Sequence, residues 1–206
     1  MNLFTSVGIK TIIFAVFILT LSACSSISQK EFGSSYSEDQ RQLDGLNIDD
    51  FTKAGLKAFS RAHLNASPTI VFQKMADHKN MNLWVPMIDH EVQVDFSKSE
   101  PPGANGVGTI RVCDFGGDIL TEKIQYWEQN KQYAYSVLPN ENVAGVDHLG
   151  VITIESDGKG GSLVTWRQYF NPKPWSLKAK IMPFMMSMVM DNALENLSEE
   201  YGGKVL

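Results

Sequence analysis

Between residues 57 and 200, turn residues cut the sequence into strand-length pieces, one short helix and one long one, and that order leaves few folds open. Lys57–Leu64 reads as a strand. Asn65-Ala66-Ser67-Pro68 then opens a helix, with Ser67 as its cap and Pro68 in the first turn, where no amide hydrogen is needed. Ile70, Val71, Phe72 and Met75 give that helix an apolar side; it ends near Asp77, and a helical turn is expected from Met81 to Trp84, before Pro86. Strands are expected at Ile88–Phe96, Val107–Phe115, Asp118–Trp127, Gln132–Leu138, Asp147–Glu155 and Leu163–Phe170. Pro101-Pro102-Gly103, Gly116-Gly117, Gln129-Asn130 and the run from Asp157 to Gly161 supply turns between them. After Asn171-Pro172-Lys173-Pro174 one long helix runs from about Trp175 to Glu200, and Gly202-Gly203 stops it. A run of strands with helices at either side of it points to the α+β class. There is no internal repeat.

Short motifs stand at matching places in this order. They are Leu64-Asn65-Ala66-Ser67-Pro68 with Val71-Phe72, then Trp84-Val85-Pro86, then Gly106-Val107-Gly108-Thr109-Ile110-Arg111 and Glu122-Lys123-Ile124. Thr165-Trp166 with Phe170 and Ala193-Leu194-Glu195-Asn196-Leu197 complete the set. From about Lys57 to Leu197 the chain thereby resembles the START-like superfamily called SRPBCC, which includes polyketide cyclase/dehydrase-like proteins and lipid-transfer domains. The resemblance implies a helix-grip fold: a curved antiparallel sheet of about seven strands wrapped on a long C-terminal helix, with an apolar cavity between them.

Turn lengths give the register independently of that resemblance. With Gly116-Gly117 as a two-residue loop, Phe115 pairs with Asp118, Cys113 with Leu120 and Arg111 with Glu122. With Gln129-Asn130 as a two-residue loop, Tyr126 pairs with Tyr133, Ile124 with Tyr135 and Glu122 with Val137. With a loop from Asp157 to Gly161, Ile152 pairs with Trp166, Gly150 with Gln168, and His148 comes opposite Phe170. The candidate inner face therefore carries Arg111, Glu122, Tyr126, Tyr133, Tyr135, His148, Trp166 and Gln168. A mostly apolar wall with few polar groups suits a large apolar molecule. The Arg111–Glu122 pair admits two readings, one structural and one ligand-orienting.

The last helix adds Ile181, Met182, Phe184, Met185, Met186, Met188, Val189 and Met190, with positions 177, 181, 184/185 and 188 on one side. Methionine adapts to varied apolar shapes, and Phe184, Met185 and Met188 are the candidates for the cavity. Pro183 is expected to kink or begin this segment.

Ahead of the domain, an apolar run from Thr11 to Leu21 follows a single positive charge, Lys10. It is shorter than the roughly 20 apolar residues a spanning helix needs and suits a signal peptide over residues 1–23. Leu21-Ser22-Ala23-Cys24 resembles the lipobox of bacterial lipoproteins, which implies cleavage before Cys24 and acylation of its thiol. Ser25 after that cysteine then implies the periplasmic face of an outer membrane. Residues 24–50, rich in Ser, Gln, Asp and Glu, read as lipidated cysteine and tether, residues 51–206 as the ligand-binding domain, and a short helix packed on the body is expected from Ile48 to Leu56.

The chain has 18 Lys and Arg against 23 Asp and Glu, a formal net charge of −5, and no basic run, which speaks against nucleic acid as partner. Only Cys113 remains beside Cys24, so neither a disulfide framework nor a cysteine zinc site is available. Cys113 reads as a small buried apolar residue. His63, His78, His90 and His148 lack metal-ligand spacing, and no metal or cofactor is expected. The leading expectation is a monomeric, membrane-anchored binder of a lipid or other hydrophobic molecule. The alternative is a cyclase-, dehydrase- or hydrolase-type enzyme working in the same cavity, with Glu122, His148 and the tyrosines as its candidate acids and bases.

Overall fold

The computed structural model describes residues 40–139, 145–174 and 177–206. Cys24, the leader and the start of the tether lie outside those residues, as do Trp175 and the expected start of the long helix.

The chain opens with a small hairpin, β1 (Gln42–Leu43) and β2 (Leu46–Asn47), and a 3-10 turn at Ile48–Asp50. Strand β3 (Leu56–Leu64) leads into α1 (Pro68–Met75) and a second 3-10 segment at His78–Leu83. The strands β4 (Gln93–Asp95), β5 (Ile110–Phe115), β6 (Asp118–Glu128), β7 (Gln132–Val137), β8 (Gly145–Ser156) and β9 (Ser162–Pro172) follow. Helix α2 (Leu177–Tyr201) and strand β10 (Gly203–Val205) close the chain. The sheet is antiparallel, with order β10-β3-β9-β8-β7-β6-β5-β4. Strand β10 is the eighth, and the sequence did not announce it. Gly202-Gly203 does end α2, but with φ of 72° and 132° the pair turns the chain back onto β3 instead of releasing it.

One face of the sheet packs on α1, the 3-10 segment and α2, and buries Leu64, Phe72, Met75, Trp84, Ile124, Tyr133 and Leu197 among others. The opposite face carries a smaller core of Leu46, Ile48, Ala54, Ala134, Leu149, Val151 and Tyr169. The stretch expected to be tether up to Asp50 is therefore part of the body from about Arg41 onward. Arg41 donates to Asp49 and to the carbonyls of Thr52 and Ala54, and Ile48 is fully buried. Among the described residues every strand and both cores come from residues 42–205, so the compact unit of residues 37–206 contains what it needs to fold alone. Among the described residues no helix is long and apolar enough to cross a membrane.

The β5–β6 register is the expected one, with Arg111 opposite Glu122 and Phe115 opposite Asp118 across Gly116-Gly117, whose φ values of 62° and 98° suit a two-residue hairpin turn. The β6–β7 turn is one residue longer than expected. Glu128 pairs with Gln132, and Asn130 takes the left-handed conformation at φ 64°. A bulge between Ile124 and Tyr126 then restores the expected pairing of Ile124 with Tyr135 and Glu122 with Val137. Between the two shifts Tyr126 pairs with Ala134, not Tyr133, and is turned to the other face of the sheet.

Candidate functional site

A cavity of about 190 Å³ lies between the sheet and the first half of α2. Strands β5 and β6 bring Arg111, Phe115, Leu120 and Glu122 to it; β7, β8 and β9 bring Tyr135, His148, Trp166 and Gln168. Helix α2 contributes Met182, Met185, Met186, Val189 and Met190, and the segment before β4 contributes Met81, Val85 and Met87. Six of the chain's nine methionines thus line one space, which makes the wall adaptable.

Apart from Asp118, which also lines the cavity, the polar side chains gather in one connected cluster. Arg111 Nε donates to Glu122 Oε2 at 2.5 Å, and both side chains are buried. The Arg111 guanidinium stands 4.4 Å from the centre of the Tyr135 ring and reaches His78 Nδ1 at 3.0 Å. The Tyr135 hydroxyl accepts from Trp166 Nε1 at 3.1 Å and from Gln168 Nε2 at 2.7 Å. Val137 N donates to His148 Nδ1, so the His148 proton sits on Nε2, which donates to Gln168 Oε1 at 2.7 Å. With two N–H groups already on its oxygen, Tyr135 keeps its own proton as a donor.

Electrostatics hold this cluster close to neutral. Burial opposes the charge on Arg111, but the Glu122 carboxylate, together with the Cys113, Tyr133 and Tyr135 groups around it, outweighs burial and raises the guanidinium pKa. Burial, then Arg111, holds His78 well below the usual histidine range, and burial lowers His148 as well, so both rings are neutral near pH 7. Burial, reinforced by Glu122, raises Tyr135 and keeps it a phenol. The same causes raise Cys113, whose thiol donates to Glu122 Oε2 at 3.6 Å; it is no nucleophile.

Of the residues expected at the cavity, Arg111, Glu122, Tyr135, His148, Trp166, Gln168 and Met185 line it. Four others do not. Tyr126 packs on the far side against Phe51, with ring centroids 6.5 Å apart, because the β6 bulge turns it there. Tyr133 is on the correct face but deeper, donating to the Met75 carbonyl and packed against Phe72 and Trp127. Phe184 and Met188 point outward from α2. The first half of that helix carries apolar residues on two sides, so its periodicity alone could not say which side faces the sheet. His78 was not singled out in the sequence and has no spacing signal; only the fold brings its ring beside Arg111.

Comparison with known proteins agrees with the fold. Residues 57–202 match the family model described as polyketide cyclase / dehydrase and lipid transport. No curated protein matches the chain. Among solved structures, the protein XoxI from Bacillus cereus is 18% identical, with 70% of this chain and 94% of that one covered and a TM-score of 0.56. A protein from Thermobifida fusca is 17% identical over 70% of this chain and 92% of that one, with a TM-score of 0.57. A START superfamily protein from Mycobacterium smegmatis is 10% identical over 70% and 95%, with a TM-score of 0.56. At these identities the likeness concerns the fold.

Proposed function

The chain belongs to the polyketide cyclase / dehydrase and lipid transport family, and from that premise we propose that its domain is a binding module for a lipid or other hydrophobic small molecule bearing one uncharged polar group. The observation that carries this reading is the pairing of Arg111 with Glu122 inside a methionine-rich cavity. An anionic head placed there would meet Glu122, and a cationic one would meet Arg111; either would disturb a pair that already balances itself in a medium of low dielectric. A hydroxyl or carbonyl disturbs neither. The Tyr135 proton suits it as a donor, and Trp166 and the methionines suit the apolar remainder.

Volume supports a modest cargo. An apolar cavity of roughly 150 Å³ holds benzene, and sites for drug-sized molecules are roughly 300–1,000 Å³. At about 190 Å³ the space takes a small apolar body, and a longer one requires the α2 methionines to give way. The engagement of both His148 nitrogens, by Val137 and Gln168, supports binding over acid–base chemistry at that residue.

We further propose that Cys24 carries acyl chains which hold the domain, as a monomer, at the periplasmic face of an outer membrane. Native mass spectrometry with solvent extraction on residues 37–206 tests the binding reading. A stoichiometric apolar adduct that Met186→Trp removes supports it; a clean apo mass, with no uptake of an apolar fluorescent probe, defeats it. Incorporation of labelled palmitate that disappears in the full-length Cys24→Ala chain tests the anchor.

A further inference from the structure

The first half of α2 is apolar on two sides, and the domain covers only one of them. Met182, Met186, Val189 and Met190 face the cavity. Leu177, Ile181, Phe184 and Met188, spaced four, three and four residues apart, form a second stripe that is 76%, 47%, 69% and 49% exposed. Beyond Met190 the same helix is amphipathic in the ordinary way: Asp191, Asn192, Glu195, Asn196, Glu199 and Glu200 face water, while Ala193, Leu194 and Leu197 are buried. A contiguous exposed row of large apolar side chains on one helix face marks a docking surface.

Charge indicates what docks there. Residues 171–190 contain Lys173, Lys178 and Lys180 and no carboxylate, in a chain whose formal net charge is −5. Lys180 is exposed and adjoins Ile181 in sequence. An apolar row with the exposed Lys180 between Leu177 and Phe184, on an otherwise acidic molecule, matches a bilayer with anionic headgroups: the apolar side chains enter the headgroup–acyl boundary and Lys180 meets the lipid charge. A second copy fits less well, since a two-fold contact through this face would set Lys180 against Lys180.

We propose that this stripe is a bilayer-docking surface selective for anionic lipid. It lies on the helix that walls the cavity, and two lining residues, Met87 and Met185, are themselves exposed. Docking by the stripe therefore brings the cavity wall to the lipid, so that apolar cargo passes between bilayer and cavity with little exposure to water. The entering chain is tied nearby: Thr52 Oγ1 donates to the Asp147 carbonyl, two residues from Gly145, which also lines the cavity. The proposal rests on the binding reading of the cavity given above.

The test is co-sedimentation of residues 37–206 with phosphatidylcholine vesicles, with and without about one third phosphatidylglycerol. The expected result is binding to the anionic vesicles that weakens about tenfold without phosphatidylglycerol or at high salt. Leu177→Ser/Phe184→Ser and Lys180→Glu should each lower it by about tenfold with an unchanged circular dichroism spectrum. No sedimentation with anionic vesicles overturns the proposal, as does parental binding by the double variant. A concentration-dependent dimer that the double variant abolishes also overturns it, by assigning the stripe to a second copy. Uptake of N-phenylnaphthylamine in vesicle-free buffer reads the cavity separately. It should survive in the double variant, and its absence from the parent would defeat the cavity reading while leaving the vesicle result to stand by itself.

Discussion

Gly150 lies directly across from Tyr135 on neighbouring strands, and a Cβ on Gly150 would come within 2.3 Å of Tyr135 Cζ. The missing side chain is what lets the phenol lie over β8 and reach Trp166 and Gln168. Gly150→Ala should push the ring off these partners and destabilise the domain by about 1–3 kcal/mol. Urea unfolding reads the loss, and a double-mutant cycle with Tyr135→Ala should show most of it disappearing once the ring is gone.

Of the three tyrosines expected to share the cavity, Tyr126 and Tyr135 now separate. Tyr135→Phe removes the donor proposed for the cargo and should weaken binding about fivefold, the worth of one hydrogen bond. Tyr126→Phe should leave binding unchanged, because Tyr126 faces the second core. Titration of the extracted ligand against both variants checks the pair, and equal effects would contradict the placement of Tyr135.

Removing one member of the buried ion pair should be far worse than removing both. Glu122→Gln leaves the Arg111 charge without its counter-ion and should cost about 3–5 kcal/mol. Arg111→Met/Glu122→Leu should recover most of that stability while altering cargo affinity. Denaturant midpoints of the three variants, measured with the parent, decide this.

Stability should fall on mild acidification. His78 and His148 are held neutral in the fold, below their ordinary value of 6.5, so as pH drops through 6.5 the unfolded chain takes up protons the folded one refuses. Each ring contributes a slope of up to about 1.4 kcal/mol per pH unit, lost progressively below pH 6.5 until its folded pKa is reached. The lowered carboxylates, such as Asp49, Asp95 and Asp157, act only nearer pH 4. Urea midpoints at pH 7.5 and 5.5 should differ, and His148→Gln should shrink the difference.

Ile48→Ala should destabilise the domain by about 2–5 kcal/mol, although Ile48 precedes the sheet. Thermal unfolding checks it. A change of only a few tenths would mean that the hairpin is an ornament on the fold instead of a cover for its second core.

The sequence alone determined the α+β class, the order of the elements and most of the sheet register. Those depend on local chemistry: glycines at positive φ in turns, the alternation of side chains along a strand, and the facing of Arg111 and Glu122 that follows from a two-residue loop. It also placed seven of the lining residues, because a face once fixed by register carries its neighbours with it. Other features were decided only in three dimensions. The offset of a longer turn by a bulge moved Tyr126 without disturbing Ile124, and no local signal at Gln125 announces that compensation. The outward turn of Phe184 and Met188 was hidden because the first half of the helix is apolar on two sides. His78 entered the cluster, β10 joined the edge and the β1–β2 hairpin covered the second core through contacts between residues far apart in the chain, and such contacts leave no periodicity to read.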